Sequence, residues 1–191
     1  KCWGSNQNGT LGIGSSNAAP LPTPQTPTGL GSGVFRISAG KEMTCVILIG
    51  GALKCWGSNL QYQLGAGLAA DEKIPNQVTG LTSGVVDVRG GSGYACAVVT
   101  DRALCWGNNS GGNLGTYSVS NIVVNPLPVA NNMAGVTRVV SGNEHICAIV
   151  DGGVACWGGN TYGQIGDGST TRRTRSVYVT GFGPTAQFAQ C

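Results

Sequence analysis

The chain has 191 residues, 33 of them glycine, with only 10% charged residues, 6% aromatic residues and a formal net charge of +3. So mild a charge excludes the broad basic face that nucleic-acid binding requires, and no apolar run approaches the roughly 18 residues of a membrane span. The apolar residues fall in short runs between Gly, Asn and Ser, a pattern of many short strands joined by tight turns, so the expected fold class is all-β.

A Cys-Trp-Gly-x tetrapeptide begins at Cys2 and returns at Cys55, Cys105 and Cys156, spacing the tryptophans by 53, 50 and 51 residues. Each copy carries Asn three residues after its Trp (Asn6, Asn59, Asn109, Asn160). Leu-Gly or Ile-Gly follows eight residues after the Trp, at Leu11-Gly12, Leu64-Gly65, Leu114-Gly115 and Ile165-Gly166. A fixed period of this size means one supersecondary unit repeated, each copy burying its apolar face against its neighbours. The chain therefore reads as a single array over residues 1–191, divided at 1–53, 54–104, 105–155 and 156–191. One large ring per unit (Trp3, Trp56, Trp106, Trp157) is assigned to packing between sheets rather than to sugar or cation binding, although aromatic rings serve both. Each Asn is expected to bond turn backbone.

Asn8 and Asn108 lie in N-glycosylation triplets just after Trp-Gly, and either can carry a glycan. Residues 20–28, rich in Pro and Thr, are expected to form an extended surface loop of the kind that carries O-glycans.

Six cysteines form three pairs: Cys45 with Cys55, Cys96 with Cys105, and Cys147 with Cys156. Asp151-Gly152 suits a two-residue hairpin turn because both positions tolerate positive φ. Counting outward from it sets Ile149 against Val154, Ala148 against Ala155 and Cys147 against Cys156. The same count from Thr100-Asp101 sets Cys96 against Cys105, while Gly50-Gly51 gives the first hairpin a longer turn. Opposed strand residues lie within disulfide reach. Zinc is the rival reading, but it favours close Cys-x-x-Cys knuckles and histidine, and His145 stands alone. Three persistent disulfides imply an oxidising compartment, hence secretion or display at the cell surface.

The densest basic stretch, Arg172-Arg173-Thr174-Arg175, reads as a solvated loop, with contact to an anionic partner as the alternative. Chemistry-bearing groups are few. The eight carboxylates are scattered, Asp101 and Asp151 serve turns, and Glu144-His145 is the best catalytic candidate in a chain without a phosphate loop or a nucleophile triad.

About four strands fit in each unit, which suggests propeller blades. The motifs Trp-Gly-x-Asn…Leu-Gly, Val78-x-Gly80-Leu81 and Gly84-Val85-x-x-Val88-x-x-Gly91, followed by the cysteine hairpin, resemble the regulator of chromosome condensation repeat family in a secreted, disulfide-bearing form. The resemblance covers essentially all of the chain. It implies β-propeller blades of about four antiparallel strands, nearly four repeats of about 51 residues, where family members usually close seven-bladed rings. The family's His before the hairpin survives only as His145, with Met43 and Tyr94 in its place elsewhere. The resemblance further implies a loop face used against proteins, small GTPases and β-lactamases among them, although disulfides are at odds with a nuclear nucleotide-exchange role.

The count stops short of whole units at both ends. Cys2 holds the second position of a hairpin, and Phe188 and Cys191 match Val88 and Gly91. Lys1 in place of Met fits a processed mature chain or a piece of a longer one. Three outcomes follow: a fragment of a larger propeller, a ring closed through Cys2 and Cys191, or copies joined end to end through those two cysteines. The expected function is an extracellular, non-enzymatic scaffold assembling head-to-tail with copies of itself. The alternative is a secreted propeller that binds a protein or glycan. No cofactor is expected.

Overall fold

A computed structural model describes residues 1–131 and 133–184, so Phe188 and Cys191 lie outside the described residues. The described elements are fourteen strands, arranged as one two-stranded and three four-stranded antiparallel sheets. The first sheet pairs β1 (Cys2–Asn6) with β2 (Asn17–Gln25). The second runs β3 (Val34–Ala39), β4 (Met43–Leu48), β5 (Leu53–Gly57), β6 (Glu72–Gln77). The third runs β7 (Val85–Gly90), β8 (Tyr94–Val99), β9 (Arg102–Asn108), β10 (Ile122–Pro128), and the fourth β11 (Val136–Ser141), β12 (His145–Val150), β13 (Gly153–Gly158), β14 (Arg173–Tyr178). Each four-stranded sheet takes its first two strands from one Trp-anchored unit and its last two from the next. This phase shift ties consecutive units together by backbone hydrogen bonds.

The hairpin registers follow the turn chemistry. Cys147 faces Cys156 and Val150 faces Gly153 across a turn in which Asp151 and Gly152 have φ of 49° and 78°. Cys96 faces Cys105, and Cys45 faces Cys55 around the longer Gly50-Gly51 turn. All three pairs are disulfides, and their cysteines on β5, β9 and β13 are buried. Closing loops of about ten residues, each bridge stabilises by roughly 2–3 kcal/mol on the chain-entropy account.

Sheets stack through the tryptophans. Trp56, Trp106 and Trp157 have no exposed surface, and each indole lies against the Leu-Gly turn of the preceding unit. A Cβ on Gly12 would stand 2.7 Å from Trp56 Nε1, one on Gly65 2.8 Å from Trp106 Nε1, and one on Gly115 2.6 Å from Trp157 Cδ1. The same turns accept the indole protons: Trp56 Nε1 donates to Thr10 O and Trp106 Nε1 to Gln63 O, both at 2.8 Å. Trp157 fills its slot with its N–H unpaired. Trp3 departs from the packing role expected of it and is 62% exposed. No described turn occupies the position over its ring that Gly12 occupies over Trp56.

The inner strands are joined by a buried carboxylate. Asp87 on β7 is 1% exposed, lies 3.6 Å from Arg36 of β3 and 3.5 Å from Arg89, and accepts the Val139 amide of β11 at 3.2 Å. One side chain therefore bridges three sheets. Tyr94 adds a second tie, its hydroxyl donating to Gly142 O at 2.8 Å, and burial pushes its phenol pKa well above the ordinary value.

Residues 20–25 of the expected 20–28 loop lie in β2 (Asn17–Gln25) instead. Pro20, Pro22 and Pro24 are tolerated because β2 is an edge strand, where a missing N–H costs no ladder bond.

Replacing Trp106 with alanine is expected to cost about 3–5 kcal/mol, whereas Trp3→Ala stays within about 0.5 kcal/mol. Thermal denaturation of both variants checks this, and equal losses would contradict the packing difference.

Candidate functional site

The β4–β5, β8–β9 and β12–β13 hairpin turns lie at one end of the strands. The Trp-Gly-x-Asn loops lie at the other end, beside the tight turns after β3, β7 and β11. This second end is the loop face. Its loops are held by the repeated asparagines, all four fully buried or nearly so. The Oδ1 atoms of Asn6, Asn59, Asn109 and Asn160 accept the amides of Leu11, Leu64, Leu114 and Ile165 at 3.0, 3.0, 3.0 and 2.9 Å. Their Nδ2 atoms donate to loop carbonyls further on, such as Ser15 O, Leu68 O, Ser120 O and Thr171 O. One side chain thus organises a loop of about ten residues, by the local bonding expected of it.

Between these pinned loops lie open polar clefts. One of about 270 Å³ is lined by Lys41, Glu42, Leu60, Gln61, Ser92 and Asn108. Another of about 370 Å³ is lined by Lys41, Asn108, Asn113, Asn143, Glu144 and Arg172. Lys41 and Asn108 border both. Asn8 and Asn108 are half-buried at the loop bases, and Asn108 Oδ1 accepts the Ser110 amide at 2.8 Å. At the opposite end of the strands, Phe35, Ile49 and Val86 are 61%, 78% and 40% exposed around an apolar cleft of about 340 Å³. Composition gave no sign of that patch, because its residues are far apart in sequence.

The basic stretch is consumed by the fold. Arg172 donates to Ser110 O and Asn113 Oδ1 and lies 3.7 Å from Glu144, joining two neighbouring sheets. Arg173 pairs with Asp167, and Arg175 stands 5.7 Å over the Tyr117 ring. Glu144 therefore faces an arginine, and the imidazole of His145 packs on Gly142. Among the described residues no cluster of three His, Cys, Asp or Glu side chains is placed to hold a metal.

The lowered carboxyl pKa of Asp167 is set by the fold. Hydrogen bonds from Ser169, then the Arg173 guanidinium, hold the Asp167 carboxyl down to about 2 against the opposing effect of burial. A carboxyl near 3.9 when unfolded and near 2 when folded contributes stability that is complete above about pH 4 and lost as pH falls through 2. The stability difference between wild type and Asp167→Asn is therefore expected to persist at pH 6 and to shrink towards zero near pH 2, read from denaturation midpoints.

No helix of the described residues is long and apolar enough to cross a membrane. The sequence profile of the Regulator of chromosome condensation (RCC1) repeat matches residues 2–47 and 51–98, and a second profile of the same description matches residues 136–164. The probable E3 ubiquitin-protein ligase HERC4 of Homo sapiens is 30% identical over 185 residues, 94% of this chain and 17% of the ligase. The ultraviolet-B receptor UVR8 of Arabidopsis thaliana is 28% identical over 180 residues, 93% of this chain and 41% of the receptor. The chain thus spans well under half the length of either relative. In three dimensions it is similar to human WBSCR16, with a TM-score of 0.79 at 20% identity over 93% of this chain and 47% of that one. Yeast RCC1 (Prp20), in its complex with Kap60, gives 0.75 at 21% identity over 92% and 44%. With its disulfide-pinned hairpins and Trp-stacked sheets, the chain belongs to the regulator of chromosome condensation repeat family, and its described sheets are blades of an RCC1-type β-propeller.

Proposed function

We propose that the chain is an extracellular, non-enzymatic binding and scaffold module that presents its loop face to a protein or glycan partner. The observation that carries this reading is the cross-strand disulfide in each of the three described hairpins. Bridges of this kind persist in oxidising compartments and stiffen the framework under the loops. The scattered carboxylates and the fully engaged Arg172-Arg173 pair support binding over catalysis, since general acid–base chemistry needs converging groups. The fold is also that of proteins whose structures concern partners: Kap60 for yeast RCC1, Gsp1p and histones for Prp20p. On the same loop face Asn8 and Asn108 are the two sequons proposed to carry glycan, and the amide nitrogen of Asn108 lies outside its turn bond to Ser110.

A second reading rests on Trp3. Its ring is exposed, while the Ile165-Gly166 turn, which resembles those that cover Trp56, Trp106 and Trp157, meets only Val179 over its glycine among the described residues. In this reading one copy's Trp3 stacks over another copy's Gly166 as Trp56 stacks over Gly12, and repetition gives a head-to-tail array.

Maleimide labelling of unreduced protein from its native host is expected to find it outside the cytoplasm, with Cys45, Cys55, Cys96, Cys105, Cys147 and Cys156 unlabelled until reductant is added. Labelled hairpin thiols in a cytosolic fraction would overturn the extracellular reading. For head-to-tail assembly, concentration-dependent oligomers that disappear in Trp3→Ala are expected in sedimentation velocity, and a monomer at every concentration rejects it.

A further inference from the structure

The loop after Trp3 lies against β6 of the second sheet, and the loop after Trp106 lies against β14 of the fourth. One place in this contact departs from the repeat. Three residues after Leu11, Leu64 and Ile165 stand Gly14, Gly67 and Gly168, all with positive φ. Three residues after Leu114 stands Tyr117. The residue opposite changes with it. A Cβ on Gly14 would stand 3.8 Å from Ile74 Cγ2 of β6, whereas Tyr117 meets Arg175 of β14, the guanidinium carbon lying 5.7 Å from the ring centroid. Ile74 and Arg175 hold the same place, two residues beyond the partner of the Trp-Gly glycine: Glu72 faces Gly57, and Arg173 faces Gly158. The repeat folds at this place without an aromatic ring or a cation, so the architecture requires neither.

Tyr117 is 68% exposed, yet its ring is fixed. Its hydroxyl accepts the Asn131 amide at 3.1 Å, and Asn131 Nδ2 donates to Ser176 Oγ of β14 at 3.4 Å. Arg172 and Arg173 face Glu144 and Asp167, but Arg175 has no carboxylate partner among the described residues and is tied to the fold through the ring. The pair borders a cleft of about 400 Å³ whose walls include Thr116, Ser118, Asn121 and Thr174. Thr116 Oγ1 and Ser118 Oγ accept the amides of Ser118 and Ser120 at 3.4 and 3.2 Å, which leaves each hydroxyl its proton to donate. The side chains of Asn121 and Thr174 make no hydrogen bond among the described residues.

We infer that this cleft binds an acidic sugar, a carboxylate-bearing pyranose within a glycan chain. A guanidinium held over a ring keeps its N–H fork for a planar anion, and a carboxylate fits that fork with two parallel hydrogen bonds. The exposed part of Tyr117 offers an apolar surface to the C–H face of the pyranose. The hydroxyls of Thr116, Ser118 and Thr174 and the amide of Asn121 supply donors and acceptors for its hydroxyl groups. A neutral sugar would leave Arg175 without its anion, and an acidic peptide would leave the hydroxyl-lined wall unmatched.

This inference deepens the glycan side of the loop-face reading and rests on it. Calorimetric titration of the full chain with a short oligogalacturonate tests it, against a galactose oligomer of the same linkage and length and an oligoglutamate of equal charge. The uronate oligomer is expected to bind at least about tenfold more tightly than either, and Arg175→Gln to remove that advantage. Tyr117→Ala is expected to weaken binding about tenfold and Tyr117→Phe, which keeps the ring, by no more than about twofold. Arg138→Gln, the same charge change at an exposed residue of β11, is expected to leave it unchanged. Because both cleft side chains are exposed, thermal midpoints close to wild type are expected for every variant. Equal affinity for the galactose oligomer or the oligoglutamate, no uronate binding by the unmodified chain, or equal losses in Arg175→Gln and Arg138→Gln would each overturn the inference. Such a failure leaves a protein partner on the loop face and the extracellular reading standing, since thiol labelling decides the latter separately.

Discussion

Stacking an indole on a turn that lacks a side chain is the contact on which the architecture rests. The Leu-Gly turns at Gly12, Gly65 and Gly115 adopt positive φ, and they leave open the space that the next unit's tryptophan enters. A methyl group at any of them would lie within 3 Å of the ring. The same turns receive the indole proton from Trp56 and Trp106. Apolar burial and a polar tie are thus delivered at one point, and the contact repeats because both halves repeat.

Around that contact the fold distributes its rigidity unevenly. Disulfides fix the second and third strands of each four-stranded sheet, and phase-shifted pairing links one sequence unit to the next. At the inner strands, Asp87 replaces repetition with a single charged bridge among β3, β7 and β11. Its position is Arg36 and Arg138 in the neighbouring units, so the inner wall alternates in charge. Breaking one partner of such a group leaves a buried charge uncompensated, a larger loss than the pair itself contributes. The loop face, by contrast, is held from below by four asparagines and stays polar and open above them. That combination suits recognition, because the loops vary in sequence while their anchors do not.

Much of this was legible in the residues. The hairpin registers could be counted outward from Asp151-Gly152 and Thr100-Asp101, and the bonding role of the asparagines followed from their place after Trp-Gly. The Arg172–Arg175 stretch was legible only in part: its bland character was expected, but its role in joining sheets through Ser110, Asn113 and Glu144 depends on loops some 30 to 60 residues away. The apolar patch at Phe35, Ile49 and Val86 was missed for the same reason, and the prolines of β2 disguised an edge strand as a loop.

By itself the sequence determined the repeat, the antiparallel hairpins and their cysteine pairing, since strand alternation and turn geometry are set by residues within about ten positions of one another. Only the tertiary structure decided which tryptophans are buried. Trp3 and Trp56 sit in the same motif, yet one is bare and the other sealed. A motif specifies what a side chain can pack against. Burial requires a second surface, and that surface arrives from a different unit of the array.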